Sequence, residues 1–203
     1  MSRYVVGLTG GVASGKSEVT RRFQALGIMV ADADLAARAV VAPGSAGLAQ
    51  IVDVFGPGML QADGGLDRAR LRAHIFAEPT ARQALEAITH PAIRALMRTE
   101  CEQADSPYAL AAIPLLTEVG GRSAYPWLDR VLLVDAPVAV QHARLMQRDG
   151  IDAALAQRMI EAQASRSARL ALADDVVIND GPAQALDMQV QALHARYLRL
   201  ADQ

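Results

Sequence analysis

The sequence predicts an α/β fold in which a parallel sheet is covered on both faces by helices. Short apolar runs alternate with stretches of helical periodicity along the chain. Those runs are nearly continuous rather than alternating, as strands buried on both faces are. The first run leads straight into a glycine-rich loop and then a helix. At 203 residues the chain is long enough for one core without staples, so residues 1–203 are expected to form a single domain.

Residues 4–8 are the first strand. From Lys16 the pattern is helical, with Val19, Phe23 and Leu26 on one face and Gly27 as its stop. Residues 28–31 form the second strand, ending at Asp32, Ala33 and Asp34. Residues 35–105 are helical and lack a convincing strand. Leu48, Ile51, Val52 and Phe55 form one stripe, closed by Gly56, Pro57 and Gly58. A second helix from Asp67 turns Leu71 and Ile75 inward before Pro79. Leu85 and Ile88 continue to His90, and Pro91, suited to a first turn, opens a new helix with Ile93, Leu96 and Met97 inward. So much helix exceeds a minimal crossover, and a helical insertion is expected over about 56–106. Residues 108–113, 131–134 and 176–178 are the third, fourth and fifth strands, with an Arg- and Gln-rich helical stretch over 137–172. A last helix after Gly181 and Pro182 carries Leu186, Val190, Leu193, Tyr197 and Leu200 along one side.

Composition removes several classes of function. The formal net charge of −2 argues against a nucleic-acid partner. One cysteine, Cys101, forms neither an internal disulfide nor a cysteine-based zinc site, and it fits a reducing, cytoplasmic setting. The opening residues meet the glycine-rich segment too soon to supply a secretory apolar stretch. No apolar run approaches the ~18 residues of a membrane span. Nothing points to an obligate protein partner. Of the 20 basic residues nineteen are arginine, and the single lysine is Lys16. A position that resists such a bias needs a compact ammonium on a flexible stem.

Lys16 sits in a recognisable pattern. Residues 10–17, from Gly10 to Ser17, match G-x-x-x-x-G-K-[ST], between a strand and a helix. In such a P-loop the glycines let successive N–H groups converge on phosphate oxygens, and the helix N-terminus adds to the field. Lys16 would reach the β- and γ-phosphates, and the Ser17 hydroxyl would ligate Mg²⁺. The ATP-binding set is expected to run through Gly11, Val12, Ala13, Ser14, Gly15, Lys16, Ser17 and Glu18, with Mg²⁺ accompanying ATP.

A P-loop does not name a reaction. A Ras-type GTPase needs an Asn-Lys-x-Asp element, which a chain with its only lysine in the P-loop lacks. Asp135 closes the fourth strand and faintly resembles the acid of motor ATPases. Asp32 and Asp34, two apart at a strand end, would project to one side of an extended chain, one handling an attacking hydroxyl and the other magnesium-bound water. Asp34 could instead cap the helix that follows. Arg144 and Arg148 share a helix face, and an arginine over the γ-phosphate stabilises phosphoryl transfer. Arg148 is the preferred lid arginine, ahead of Arg166 and Arg169. The rivals are a P-loop kinase for a nucleoside monophosphate or sugar, and a non-catalytic ATP-sensing module.

In order along the chain, these elements resemble the dephospho-coenzyme A kinase family. The resemblance runs through the P-loop with Val6, Gly7, Leu8 and Thr9 before it, and through Asp32, Ala33, Asp34, Leu35 and Arg38. It continues in His90-Pro91, in Pro114-Leu115-Leu116-Thr117-Glu118, and in Gln147-Arg148-Asp149. Ala162-Gln163-Ala164 and Ala173-Asp174-Asp175-Val176 complete it. It implies a P-loop three-layer sandwich with five parallel strands in the order 2-3-1-4-5, a helical acceptor-binding insertion and a helical lid over about 138–170. It also implies transfer of the ATP γ-phosphate to the ribose 3′-hydroxyl of dephospho-coenzyme A, the last step of coenzyme A synthesis. By that resemblance Lys16, Asp34 and Arg148 are catalytic, with Asp34 as base or hydroxyl-orienting group. Thr9, Asp32, Asp34, Arg38, His90, Leu115 and Glu118 bind the acceptor; Arg144 and Asn179 join the ATP set, Asn179 near the adenine. Ala13, Glu18 and Thr117 depart from the family pattern, and Glu18 would repel nucleotide slightly. His90 stands equally well as a helix cap. Cys101 and Trp127 are expected to be packing residues.

Overall fold

The strands of this protein, described from a computed structural model over residues 4–203, are β1 (Val5–Gly10), β2 (Met29–Asp32), β3 (Ala109–Ala112), β4 (Arg130–Asp135) and β5 (Asp175–Ile178). They form one parallel sheet in the order β2-β3-β1-β4-β5, the expected fold class and order. β1 is central, with Gly7 opposite Ala111 of β3 and Val131 of β4. Every residue of β1 and β3 is buried, as the continuous apolar runs require. Residues 1–3, used above in discounting a leader, lie outside the described residues.

The helices are α1 (Lys16–Ala25), α2 (Ala33–Ala39), α3 (Ala46–Phe55), α4 (Arg68–Ala77), α5 (Pro79–Glu102), α6 (Gly121–Ala124), α7 (Val138–Asp149), α8 (Ala153–Glu161), α9 (Arg166–Leu172) and α10 (Ala183–Ala201), with a 3₁₀ turn at Pro57–Met59. Among the described residues no helix is long and apolar enough to cross a membrane.

The chain divides into two compact units. One joins the chain up to Ala31 with Glu100–Gln203; the other is Asp32–Thr99. The first has a core of Val6, Leu8, Val19, Phe23, Leu132, Val134 and Tyr197, among others. There α1 and α10 meet through stacked Phe23 and Tyr197, and Tyr108 packs edge-on to Tyr197. The Tyr108 hydroxyl lies 2.7 Å from His194 Nδ1, so this aromatic has a partner for its buried polar end. The second unit has its own core of Val40, Val41, Ile51, Met59 and Leu71.

Two expectations are corrected, and a third, the helical stretch 137–172, holds with finer divisions. Helix α5 runs unbroken through Pro91, so His90 lies mid-helix and caps nothing. The proline removes one N–H, but Leu85 and Ile88 before it and Ala92, Ile93 and Leu96 after it pack against one cluster, and that burial carries the helix through. The stretch 137–172 is three helices, because its polar residues are caps. Gly150, at φ 64°, ends α7; the Asp152 carboxylate accepts from Leu155 N, and the Ser165 hydroxyl from Ala168 N. Finally, the cap of α2 is Asp32, not Asp34. Asp32 Oδ1 accepts from the amides of Asp34 and Leu35 at 2.8 and 3.2 Å. Asp34 is therefore in the first helical turn, and the two carboxylates do not share one side of an extended strand.

Candidate functional site

The loop between β1 and α1 is held in a strained, closely packed shape. Gly15, the N-cap of α1, has φ 95°, and a Cβ there would fall on Asn179 Nδ2. Ala13 takes φ 55°, left-handed although it is not glycine. The loop folds on itself through Ser14 N to Gly11 O at 3.0 Å. Among the described residues, the amides of Ala13, Gly15, Lys16 and Ser17 donate to no acceptor within the protein, and neither does the Ser17 hydroxyl. Four uncommitted N–H groups, a lysine and the positive end of a helix thus meet in one turn of chain. Such an arrangement is chemically suited to an anion.

Two sets of side chains grip this loop. Arg144 of α7 donates Nη1 to Ser14 O at 3.3 Å, and Asn179, just past β5, donates Nδ2 to the same oxygen at 2.8 Å. At the loop's first half, Val12 N donates to Gln163 Oε1 at 2.7 Å, and the buried side chains of Gln141 and Arg169 lie against Gly11. Gln163, Gln141 and Arg169 come from the α7–α9 stretch, and their partners lie more than a hundred residues away in the chain. Gln141 belongs to no motif in the sequence, and Gln163 stands out there only through the family resemblance. A Gln or Arg in an otherwise surface-like helix that must bury one face was the signal available.

The remaining expected residues of this unit have clear places. The Thr9 hydroxyl donates to Pro114 O at 3.4 Å, and Thr9 is buried. Leu115 is exposed, and Glu118 Oε1 accepts from Ala164 N at 2.9 Å. Glu18 is bound to Arg21 and Arg22, and the Arg22 hydrogen bond holds its carboxyl below the ordinary range. Its charge is answered on α1, against the expected repulsion of nucleotide. Arg148 is exposed and doubly hydrogen-bonded to Asp149 at 2.7 and 2.8 Å. Asp135, 4% exposed at the end of β4, takes a bidentate grip from Arg166, Nε and Nη2 lying 3.0 and 2.6 Å from its oxygens. That bond raises the Arg166 guanidinium above its ordinary value. Asp135 is thus a docking point for α9.

In the second unit, Asp32 is committed to capping α2, while Asp34 and Arg38 are exposed on that helix and His90 is half-buried on α5. Among the described residues no cluster of three His, Cys, Asp or Glu side chains stands ready for a metal.

The sequence profile described as dephospho-CoA kinase matches residues 4–185. The chain is 59% identical over 197 residues to a curated dephospho-CoA kinase of Xanthomonas campestris, covering 97% of this chain and 95% of that one. It is 56% identical over 201 residues to a dephospho-CoA kinase of Xylella fastidiosa, covering 99% and 97%. Among solved structures it is similar to the protein TT1252 of Thermus thermophilus, with a TM-score of 0.78 at 29% identity, covering 97% of this chain and 98% of that one.

Proposed function

This chain belongs to the dephospho-CoA kinase family, and from that premise we propose how its residues phosphorylate dephospho-CoA at the expense of ATP in coenzyme A synthesis. Membership sets aside the sugar kinase and the passive ATP sensor. The structural observation that carries the reading is the set of four uncommitted amides beside Lys16.

The triphosphate lies in the P-loop, its oxygens taking the N–H groups of Ala13, Gly15, Lys16 and Ser17 and the Lys16 ammonium. Arg144 and Asn179 hold the loop open by fixing Ser14 O. The Ser17 hydroxyl, free of protein partners, suits Mg²⁺, which prefers a few protein oxygens plus phosphates and water. When bound, Mg²⁺ draws charge off the β- and γ-phosphates. In the second unit, Asp34 orients the ribose 3′-hydroxyl and accepts its proton as the O–P bond forms and the bond to ADP breaks. Its carboxylate is uncommitted, whereas that of Asp32 is spent on the α2 cap. Arg38 and His90 of that unit contact the acceptor, and Thr9, Leu115 and Glu118 of the first unit are further acceptor-binding residues. Arg148 swings from Asp149 towards the phosphates when the lid closes. The chain works in the cytoplasm, where its lone thiol stays reduced.

Acceptor-dependent ADP release tests this, with Mg-ATP and, separately, dephospho-CoA, nucleoside monophosphates, shikimate and gluconate. Turnover with dephospho-CoA alone is expected. Turnover with another acceptor and none with dephospho-CoA would overturn the proposal.

A further inference from the structure

We propose that Arg169 is an anion-binding residue of the P-loop, set to contact the triphosphate; this deepens the phosphotransferase reading and rests on it. Three charged side chains are buried in the described protein: Asp135, Arg169 and Asp175. Asp135 is paired with Arg166, and Asp175 with Arg130 and Arg196. Arg169, 5% exposed, pairs with no carboxylate among the described residues. Its one hydrogen bond runs from Nη1 to Ala164 O at 2.5 Å. A guanidinium withdrawn from water without a counter-ion is costly, and folded proteins keep buried charges paired. Of its five N–H donors most remain to be used.

The position of this cation says what completes it. Arg169 Nη2 and Cζ lie 2.8 and 3.1 Å from the point where a Cβ would stand on Gly11, so any side chain at residue 11 would collide with the guanidinium. Gln141 Oε1 lies 2.9 Å from the same point, buried and without a hydrogen-bond partner, while its Nε2 is fixed on Ala136 O. An unpaired cationic fork is thus pressed against the first turn of a loop four of whose amides donate to no acceptor among the described residues, and Gln141 Oε1, itself an acceptor, stands beside the fork.

The neighbours hold that fork in place. Arg166 anchors α9 to Asp135, Ser165 caps α9, Glu118 holds Ala164 N, and Gln163 takes Val12 N. Arg169 is therefore preorganised, whereas Arg148 is exposed and already bound to Asp149. A planar fork suits bidentate contact with phosphate oxygens.

The test uses Arg169→Met, which keeps the apolar stem, and Arg169→Lys, which keeps the charge. Melting temperature is measured without nucleotide and with ATP, inorganic tripolyphosphate binding by calorimetry, and kcat and KM for ATP with dephospho-CoA. In Arg169→Met the nucleotide-free melting temperature should stay level or rise, because an unpaired buried charge has been removed. The ATP-induced rise should vanish, tripolyphosphate binding should weaken at least tenfold, and kcat/KM should fall on the order of 10²-fold. Arg169→Lys should recover at least tenfold of that loss. A lower nucleotide-free melting temperature in Arg169→Met would make the residue structural and overturn the proposal. So would a kcat/KM and tripolyphosphate affinity within threefold of the parent. If the parent shows no dephospho-CoA-dependent turnover while Arg169→Met still loses tripolyphosphate, the acceptor reading has failed and the anion site stands.

Discussion

Gly15→Ala strikes the P-loop where two separable forces meet. The backbone there has φ 95°, and an L side chain in left-handed conformation costs about 1–2 kcal/mol. The new Cβ would also fall on Asn179 Nδ2, so the amide must move and give up its 2.8 Å bond to Ser14 O. Asn179 is buried, and leaving such a donor unsatisfied costs about 1–3 kcal/mol more. The total is roughly 3 kcal/mol, a fall of about 10 °C in melting temperature for a chain of this length. A double-mutant cycle with Asn179→Ala separates the parts. Removing the amide first abolishes the collision but leaves the backbone cost, so the double variant should lose about 1–2 kcal/mol less than the summed singles. Urea unfolding of the four proteins gives the energies, and ATP titration should show at least tenfold weaker binding in both Gly15→Ala proteins. Strict additivity within about 0.3 kcal/mol would refute the collision, and a Gly15→Ala protein as stable as the parent would refute both terms.

Lys16→Arg should cut turnover on the order of 10²-fold with little change in melting temperature, because a planar fork replaces a compact ammonium in the P-loop; Arg199→Lys, on the exposed side of α10, should be silent in the same steady-state assay. Asp34→Asn should lower kcat on the order of 10²-fold with ATP affinity unchanged, whereas Asp32→Ala should remove the α2 cap and cost about 1 kcal/mol in urea unfolding. Normal turnover in Asp34→Asn would reduce it to a surface carboxylate. Burial pushes the Cys101 thiol up to about 12 from 9.0, with Glu100 and Glu102 adding to the effect. A folded value above the unfolded one means stability is intact below pH 9 and is lost as pH rises towards 12, by up to roughly 1.4 kcal/mol per unit for this group. Urea midpoints from pH 8 to 11 check the sign, and replacement of the thiol by alanine should flatten this component of the slope.

The sheet was legible because strands buried on both faces leave nearly continuous apolar runs, and its order came only with the family resemblance. The P-loop was legible because its chemistry is local: eight consecutive residues carry the turn, the lysine and the hydroxyl. Pro91 misled because a local rule against proline in helices yields to shared burial of Leu85, Ile88 and Ile93. The caps Asp152 and Ser165 were present in the sequence but hidden inside a long Arg- and Gln-rich pattern. The grip on the P-loop was hardest to read. Gln163 and Val12 are 151 residues apart, and an arginine on a surface-like helix announces its burial only when the opposing loop is in view. The extended-strand geometry assumed for Asp32 and Asp34 failed because Asp32 spends its carboxylate starting a helix.

The central claim, that this P-loop protein moves the γ-phosphate onto the ribose 3′-hydroxyl of dephospho-CoA, is tested most directly by the position of the new phosphate. Dephospho-CoA and ATP labelled in the γ-phosphate are incubated with the protein and Mg²⁺, and the product is examined by phosphorus NMR and mass spectrometry. The account predicts one added phosphoryl group, carried as a 3′-monoester, with one ADP formed per product. A phosphate at another position, or label released only as inorganic phosphate, would contradict it.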